Sequence, residues 1–175
     1  MKDNFFNKFN QGPSDFVTAG MQLKYIADCK PDSTALIYID KDEKVSSITW
    51  RQLFIQSNKL AWMLKERKIK PGEIILVAWP NCIEHIIAAF AIWKIGACYL
   101  SISNKAADEE LNEITDMISP ALAFAEFEIS KVPVTLNSEM MYKSIKEQLE
   151  EMPEDIESNP NMISLSGGTS GKLKL

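Results

Sequence analysis

Residues Ile75–Ala97 read ILVAWPNCIEHIIAAFAIWKIGA, and this stretch decides the fold. Ile74–Trp79 is an unbroken apolar run, the pattern of a strand covered on both faces. Pro80-Asn81 interrupts it. Cys82–Ile95 is then apolar nearly all round, which predicts a buried helix. Gly96 breaks that helix, and Ala97–Ile102 supplies a second buried strand. A buried strand, helix and strand in succession call for a parallel sheet layered with helices.

Working towards the N-terminus, Phe16, Ala19, Leu23 and Ile26 give a one-faced helix over Phe16–Ala27, ended by Pro31-Asp32-Ser33. Ala35–Ile39 and Val45–Ile48 flank the charged turn Asp40–Lys44 and predict a β-hairpin near residues 35–48. Thr49 and Gln52 hold the capping-box spacing, and Leu53, Ser57, Leu60, Ala61 and Leu64 line one face of the next helix. Lys70-Pro71-Gly72 breaks that pattern. Towards the C-terminus, Ala107–Ile118 is an amphipathic helix with Leu111, Ile114 and Ile118 inward. Leu122–Ala125 and Lys131–Leu136 read as strands, and Asn137–Leu149 as a helix with Met141, Ile145 and Leu149 inward. Glu150–Pro160 carries five acidic residues and no basic one, which reads as a solvated linker into the apolar strand Met162–Leu165. The alternation of strands and helices defines an α/β chain with a mostly parallel sheet.

The chain has 175 residues, 46% of them apolar and 25% charged, the length and composition of one soluble domain. Its net charge of −5, without a basic block or aromatic–basic interleaving, excludes a nucleic-acid partner. Cys29, Cys82 and Cys98 form no CxxC pair and read as buried thiols of a reducing, cytoplasmic protein. With the single histidine, His85, they make no metal site. Met1–Gln11 alternates polar residues with three phenylalanines and is no signal peptide. His85–Asn104 is long and apolar, but a helix-to-strand switch at Gly96 accounts for it without a membrane span.

The last ten residues are Ser166-Gly167-Gly168-Thr169-Ser170-Gly171-Lys172-Leu173-Lys174-Leu175. Glycines let backbone N–H groups converge on an anion, hydroxyls add donors, and lysines add charge: the composition of a phosphate cradle. A Walker loop does not fit, because Ser166 stands at its first glycine and Leu173 at its Mg²⁺-binding hydroxyl. A hydroxyl- and glycine-rich loop ending x-apolar-Lys does fit. A plain Gly/Ser turn between two strands is the alternative.

That loop resembles the nucleotide loop of the adenylate-forming (acyl-CoA synthetase, AMP-dependent ligase) superfamily. Ile48-Thr49-Trp50-Arg51-Gln52-Leu53 is similar to the family's first core motif, and Ile75–Ala97 to its strand, Pro-Asn, helix and Gly-Ala unit. The likeness runs from about Pro31 to the end. Phe5–Phe9 (FFNKF), Cys29–Ala35 (CKPDSTA), Ile83–Ile87 and Asn159–Lys172 (NPNMISLSGGTSGK) look like stretches of bile acid–coenzyme A ligases. Ser101 departs from the pattern, standing where the family usually has proline.

The resemblance implies an incomplete N-terminal α/β subdomain over 1–175, with an acidic linker at 150–160 and strand plus phosphate loop at 162–175. It implies an ATP-dependent acid–CoA ligase acting on a bile acid or similar bulky acid, with ATP, Mg²⁺ and CoA. An aryl- or amino-acid adenylating domain loading a carrier protein, or a non-catalytic nucleotide-binding module, are the alternatives. Gly167, Gly168 and Gly171 would admit phosphate, Ser166 would add a donor, and Thr169 and Ser170 would donate to the β- and γ-phosphates. Lys174 matches the family's closing lysine, and Lys172 adds positive potential. The acid pocket, adenine site, metal ligand, catalytic lysine and the strand following the loop are expected beyond Leu175. The segment alone is therefore expected to be inactive and to self-associate. His85 beside Glu84 reads as a packed histidine, and Glu109, Glu110 and Glu113 as the wet face of a helix.

Overall fold

The computed structural model describes residues 18–154 and 162–163, and the backbone of residues 166–167 and 173–174. In chain order the elements are α1 (Ala19–Cys29), β1 (Thr34–Ile39), β2 (Val45–Thr49), α2 (Trp50–Glu66), β3 (Ile74–Val77), α3 (Ile83–Lys94) and β4 (Cys98–Ser101). There follow α4 (Asp108–Ile118), β5 (Leu122–Phe124), β6 (Thr135–Leu136), α5 (Ser138–Ile145), β7 (Met162–Ile163), β8 (Ser166–Gly167) and β9 (Leu173–Lys174).

Local chemistry starts each element. Thr18 caps α1, its Oγ1 accepting from the Met21 N–H at 3.1 Å. The predicted capping box opens α2: Thr49 Oγ1 accepts from Gln52 N–H at 3.2 Å, and Gln52 Oε1 accepts from Thr49 N–H at 2.9 Å. Leu53, Ser57, Leu60, Ala61 and Leu64 all face inward, as their spacing predicts. Gly96 adopts φ +71°, a backbone that side chains disfavour, and turns the chain from α3 into β4.

β1 and β2 form the expected antiparallel hairpin. The main sheet has strand order β6-β5-β3-β4-β7 with every neighbouring pair parallel. Alternation along the strands builds two cores. Ile75, Val77, Tyr99, Leu122 and Phe124 face the layer of α2, α3 and α5. Leu76, Leu100 and Ala123 face Leu111 and Ile114 of α4. The chain is thus α/β with helices on both faces of a parallel sheet.

Three expectations change. The strand predicted over Lys131–Leu136 shrinks to Thr135–Leu136, because Lys131 has φ +69° and Pro133 lacks an N–H for a ladder. The last helix ends at Ile145, leaving Leu149 55% exposed, because α2 side chains bind the chain that follows. The carbonyls of Glu150 and Glu151, at the start of the acidic segment, accept these bonds while both side chains stay exposed. Cys29, at the end of α1, is exposed, Cys82 is half-buried, and only Cys98 is buried. Phe16, Asp155–Pro160 and Leu165 lie outside the described residues.

Candidate functional site

In a parallel α/β sheet, ligands bind beyond the carboxyl ends of the strands. β3, β4 and β7 end together on that edge, and the pairs Tyr99–Met162 and Leu100–Ile163 fix β7 beside β4. In sequence, the glycine-rich segment follows β7 directly. Within it β8 and β9 pair antiparallel, Ser166 opposite Lys174 and Gly167 opposite Leu173. The strand expected beyond Leu175 is instead β9, inside the chain. The pairing brings the backbones of Ser166, Gly167 and Lys174 together. Gly168, Thr169, Ser170, Gly171 and Lys172 lie outside the described residues.

Two clefts open at the same edge. One, of about 530 Å³, is lined by Trp79, Asn81, His85, Ser101, Asn104 and Lys105 among others. The other, of about 400 Å³, lies under the hairpin against Leu36, Tyr38, Cys82, His85, Ile86 and Tyr99. His85 reaches both and is itself buried. Its Nδ1 lies 3.2 Å from the Trp79 carbonyl and 3.1 Å from the Pro80 carbonyl. Carbonyls only accept, so Nδ1 carries a proton, and Nε2 faces the Tyr99 hydroxyl. Burial pushes the Tyr99 phenol up, opposed by its hydrogen bond from Ser101. His85 thus braces the Trp79-Pro80 turn against β4, as expected of a packed histidine. Ser101, in place of proline, ends β4 and joins this network.

Glu84 does not pair with His85. Its Oε1 accepts from the Tyr142 hydroxyl at 2.8 Å, and burial followed by this bond raises the Tyr142 phenol. Burial also pushes the neighbouring Cys82 thiol up to about 12. Glu109, Glu110 and Glu113 are exposed, as predicted. Among the described residues no group of His, Cys, Asp or Glu is placed to hold a metal, and no helix is long and apolar enough to cross a membrane.

Lys94 was not singled out by its pattern, because it reads as one interruption of an apolar helix. It is completely buried, and its ammonium donates to Ser57 Oγ at 2.7 Å and Asn58 Oδ1 at 2.6 Å.

The five-stranded parallel sheet with helices on both faces is the fold that the comparisons with known proteins also find. Residues 23–175 match the family model described as AMP-binding enzyme, and the chain belongs to that family. Bacitracin synthase 2 of Bacillus licheniformis is 33% identical over 104 residues, 58% of this chain and 4% of that protein. Acetyl-coenzyme A synthetase of Marinobacter nauticus is 33% identical over 69 residues, 39% of this chain and 11% of that protein. Among solved structures, the N-terminal subdomain of Klebsiella oxytoca NpsA, in complex with 3-hydroxybenzoyl-AMSN, superposes with TM-score 0.72 at 20% identity. It covers 89% of this chain and 39% of that one. Brucella canis acyl-CoA synthetase gives TM-score 0.76 at 17% identity over 89% of this chain and 32% of that one. These structural likenesses show the fold. The chain spans about a tenth or less of these two curated relatives.

Proposed function

We propose that this chain is the N-terminal α/β part of an ATP-dependent ligase that activates a carboxylic acid as its adenylate. The reading is supported by the parallel pairing of β7 with β4, and by the glycine-rich sequence that follows β7 and pairs with itself as β8 and β9. The donor set fits a triphosphate: glycines at 167, 168 and 171 allow close backbone approach, and Ser166, Thr169, Ser170, Lys172 and Lys174 supply hydroxyl and ammonium donors.

In the proposed reaction the substrate carboxylate oxygen bonds to the α-phosphorus of ATP, and the bond from that phosphorus to the bridging oxygen breaks. Charge then develops on the leaving pyrophosphate. The loop's donors hold and neutralise it, which is electrostatic stabilisation of a leaving group. Mg²⁺ would share that neutralisation. In a second step a thiol takes the acyl group and AMP departs.

The preferred thiol is coenzyme A and the preferred acid a bile acid or similarly bulky acid, from the resemblance of FFNKF, CKPDSTA and NPNMISLSGGTSGK. A carrier-protein thiol with an amino or aryl acid is supported about equally, by the likeness to bacitracin synthase 2 and NpsA. Acid-dependent exchange of pyrophosphate into ATP by the full-length enzyme tests adenylation, and product analysis with CoA separates the two thiols. Exchange with no acid of either class would sink the proposal. Acyl-CoA formed from a bile acid supports the first reading, and adenylate without acyl-CoA supports the second.

A further inference from the structure

We propose that Lys94 and Asn58 are positioning residues that hold the chain segment delivering β7, and through it the glycine-rich loop, to the sheet edge. The buried Lys94 ammonium faces Asn58 Oδ1 at 2.6 Å and also lies 4.7 Å from the centre of the Phe54 ring. An ammonium only donates, so it dictates which end of the Asn58 amide faces it. The other end, Nδ2, donates to the Glu150 carbonyl at 2.7 Å. One turn along α2, Trp62 Nε1 donates to the Glu151 carbonyl at 2.9 Å. Lys59 adds an ion pair to Glu150 at 3.1 Å, and Pro153 is buried just beyond. Two successive carbonyls outside any helix or strand are thus held by side chains of α2.

The described residues on either side of 155–161 are set by one neighbourhood. α3, which ends in Lys94, runs through Gly96 into β4, and β4 receives β7. Held as far as Pro153, the chain has its last anchor nine positions before Met162. Without that hold the preceding anchor is the end of α5, Ile145, seventeen positions before Met162, roughly twice as far. Doubling a free loop weakens its closure by about threefold. β7 has two residue pairs with β4, so it has little pairing of its own to resist such a change.

The effect on β7 stands on geometry alone, whereas the effect on catalysis rests on the nucleotide reading above. Asn58→Asp keeps an acceptor for Lys94 and removes the donor to Glu150. Trp62→Phe removes the donor to Glu151, and Lys94→Met removes the ammonium. In the full-length enzyme, amide hydrogen exchange in a peptide covering 158–165 is expected to quicken in each variant, by up to about threefold, the limit for full release. Exchange within α2 and α3 stays unchanged, and the KM for ATP rises by a similar factor with the acid KM constant. Unchanged exchange at 158–165 in both Asn58→Asp and Trp62→Phe overturns the proposal, and so does equal quickening throughout α2 and α3. Selective quickening with an unchanged KM for ATP overturns its catalytic half. Gly171→Val separates the two readings: if it leaves pyrophosphate exchange intact, the nucleotide assignment has failed rather than the clamp.

Discussion

The Lys94 ammonium lies 2.6 Å from Asn58 Oδ1, across the contact between α3 and α2. A charge at 0% exposure sits where these two helices otherwise meet through apolar side chains. Its cost is offset by charge-assisted hydrogen bonds and by the Phe54 ring.

That arrangement makes truncation asymmetric. Asn58→Leu removes an acceptor from a buried cation and is expected to cost about 2–3 kcal/mol of stability. Lys94→Met removes the charge itself at similar volume and is expected to cost less. Urea unfolding of both variants checks the order, and a larger loss from Lys94→Met would contradict it.

The glycine-rich loop is expected to tolerate change in fold but not in chemistry. Gly168→Val and Gly171→Val put branched side chains where phosphate oxygens are proposed to approach, so most adenylation activity is lost while the protein stays folded. Pyrophosphate exchange alongside circular dichroism measures both. Near-normal exchange in folded variants removes the phosphate assignment.

Thr169→Ala and Ser170→Ala are expected to lower kcat while leaving the KM for the acid unchanged. The proposed donors meet charge that develops only as pyrophosphate leaves. Steady-state kinetics decides, and a raised acid KM at constant kcat would place these residues in the acid pocket instead.

The thiols are expected to label in the order Cys29, Cys82, Cys98, following their exposure. Cys82 carries a second brake, since burial raises its thiol to about 12 and the thiolate is the reactive form. Its alkylation rate therefore keeps climbing as pH rises towards 12. The same shift lowers stability with rising pH between the ordinary thiol range and 12, because there the unfolded chain binds fewer protons than the folded one. Peptide mass spectrometry after timed iodoacetamide treatment reads the order, and early labelling of Cys98 would contradict it.

On the hairpin, Ile37, Ile39 and Val45 are 67%, 61% and 63% exposed, and Ile39 pairs directly with Val45 on the outward face. The 175-residue chain by itself is expected to self-associate through this patch. Val45→Lys is expected to shift it towards monomer in sedimentation velocity, since a charge on an exposed strand opposes edge-to-edge association. A wild-type chain that sediments as a monomer at all concentrations would refute this.

Much of the architecture was legible in the residues. Ile74–Val77, Ile83–Lys94 and Cys98–Ser101 form where the apolar runs and Gly96 place them, and Thr49 caps α2 with Gln52 as their spacing requires. Capping and periodicity involve neighbours within one or two turns, so local sequence contains them. The strand order β6-β5-β3-β4-β7, the early end of α5, the docking of Glu150 and Glu151 on α2, and the partners of Lys94 were decided only in the tertiary structure. A buried ammonium's acceptors come from wherever the packed helices bring oxygen atoms together. Asn58, Lys94 and Glu150 lie far apart in the chain, and no local period encodes their meeting.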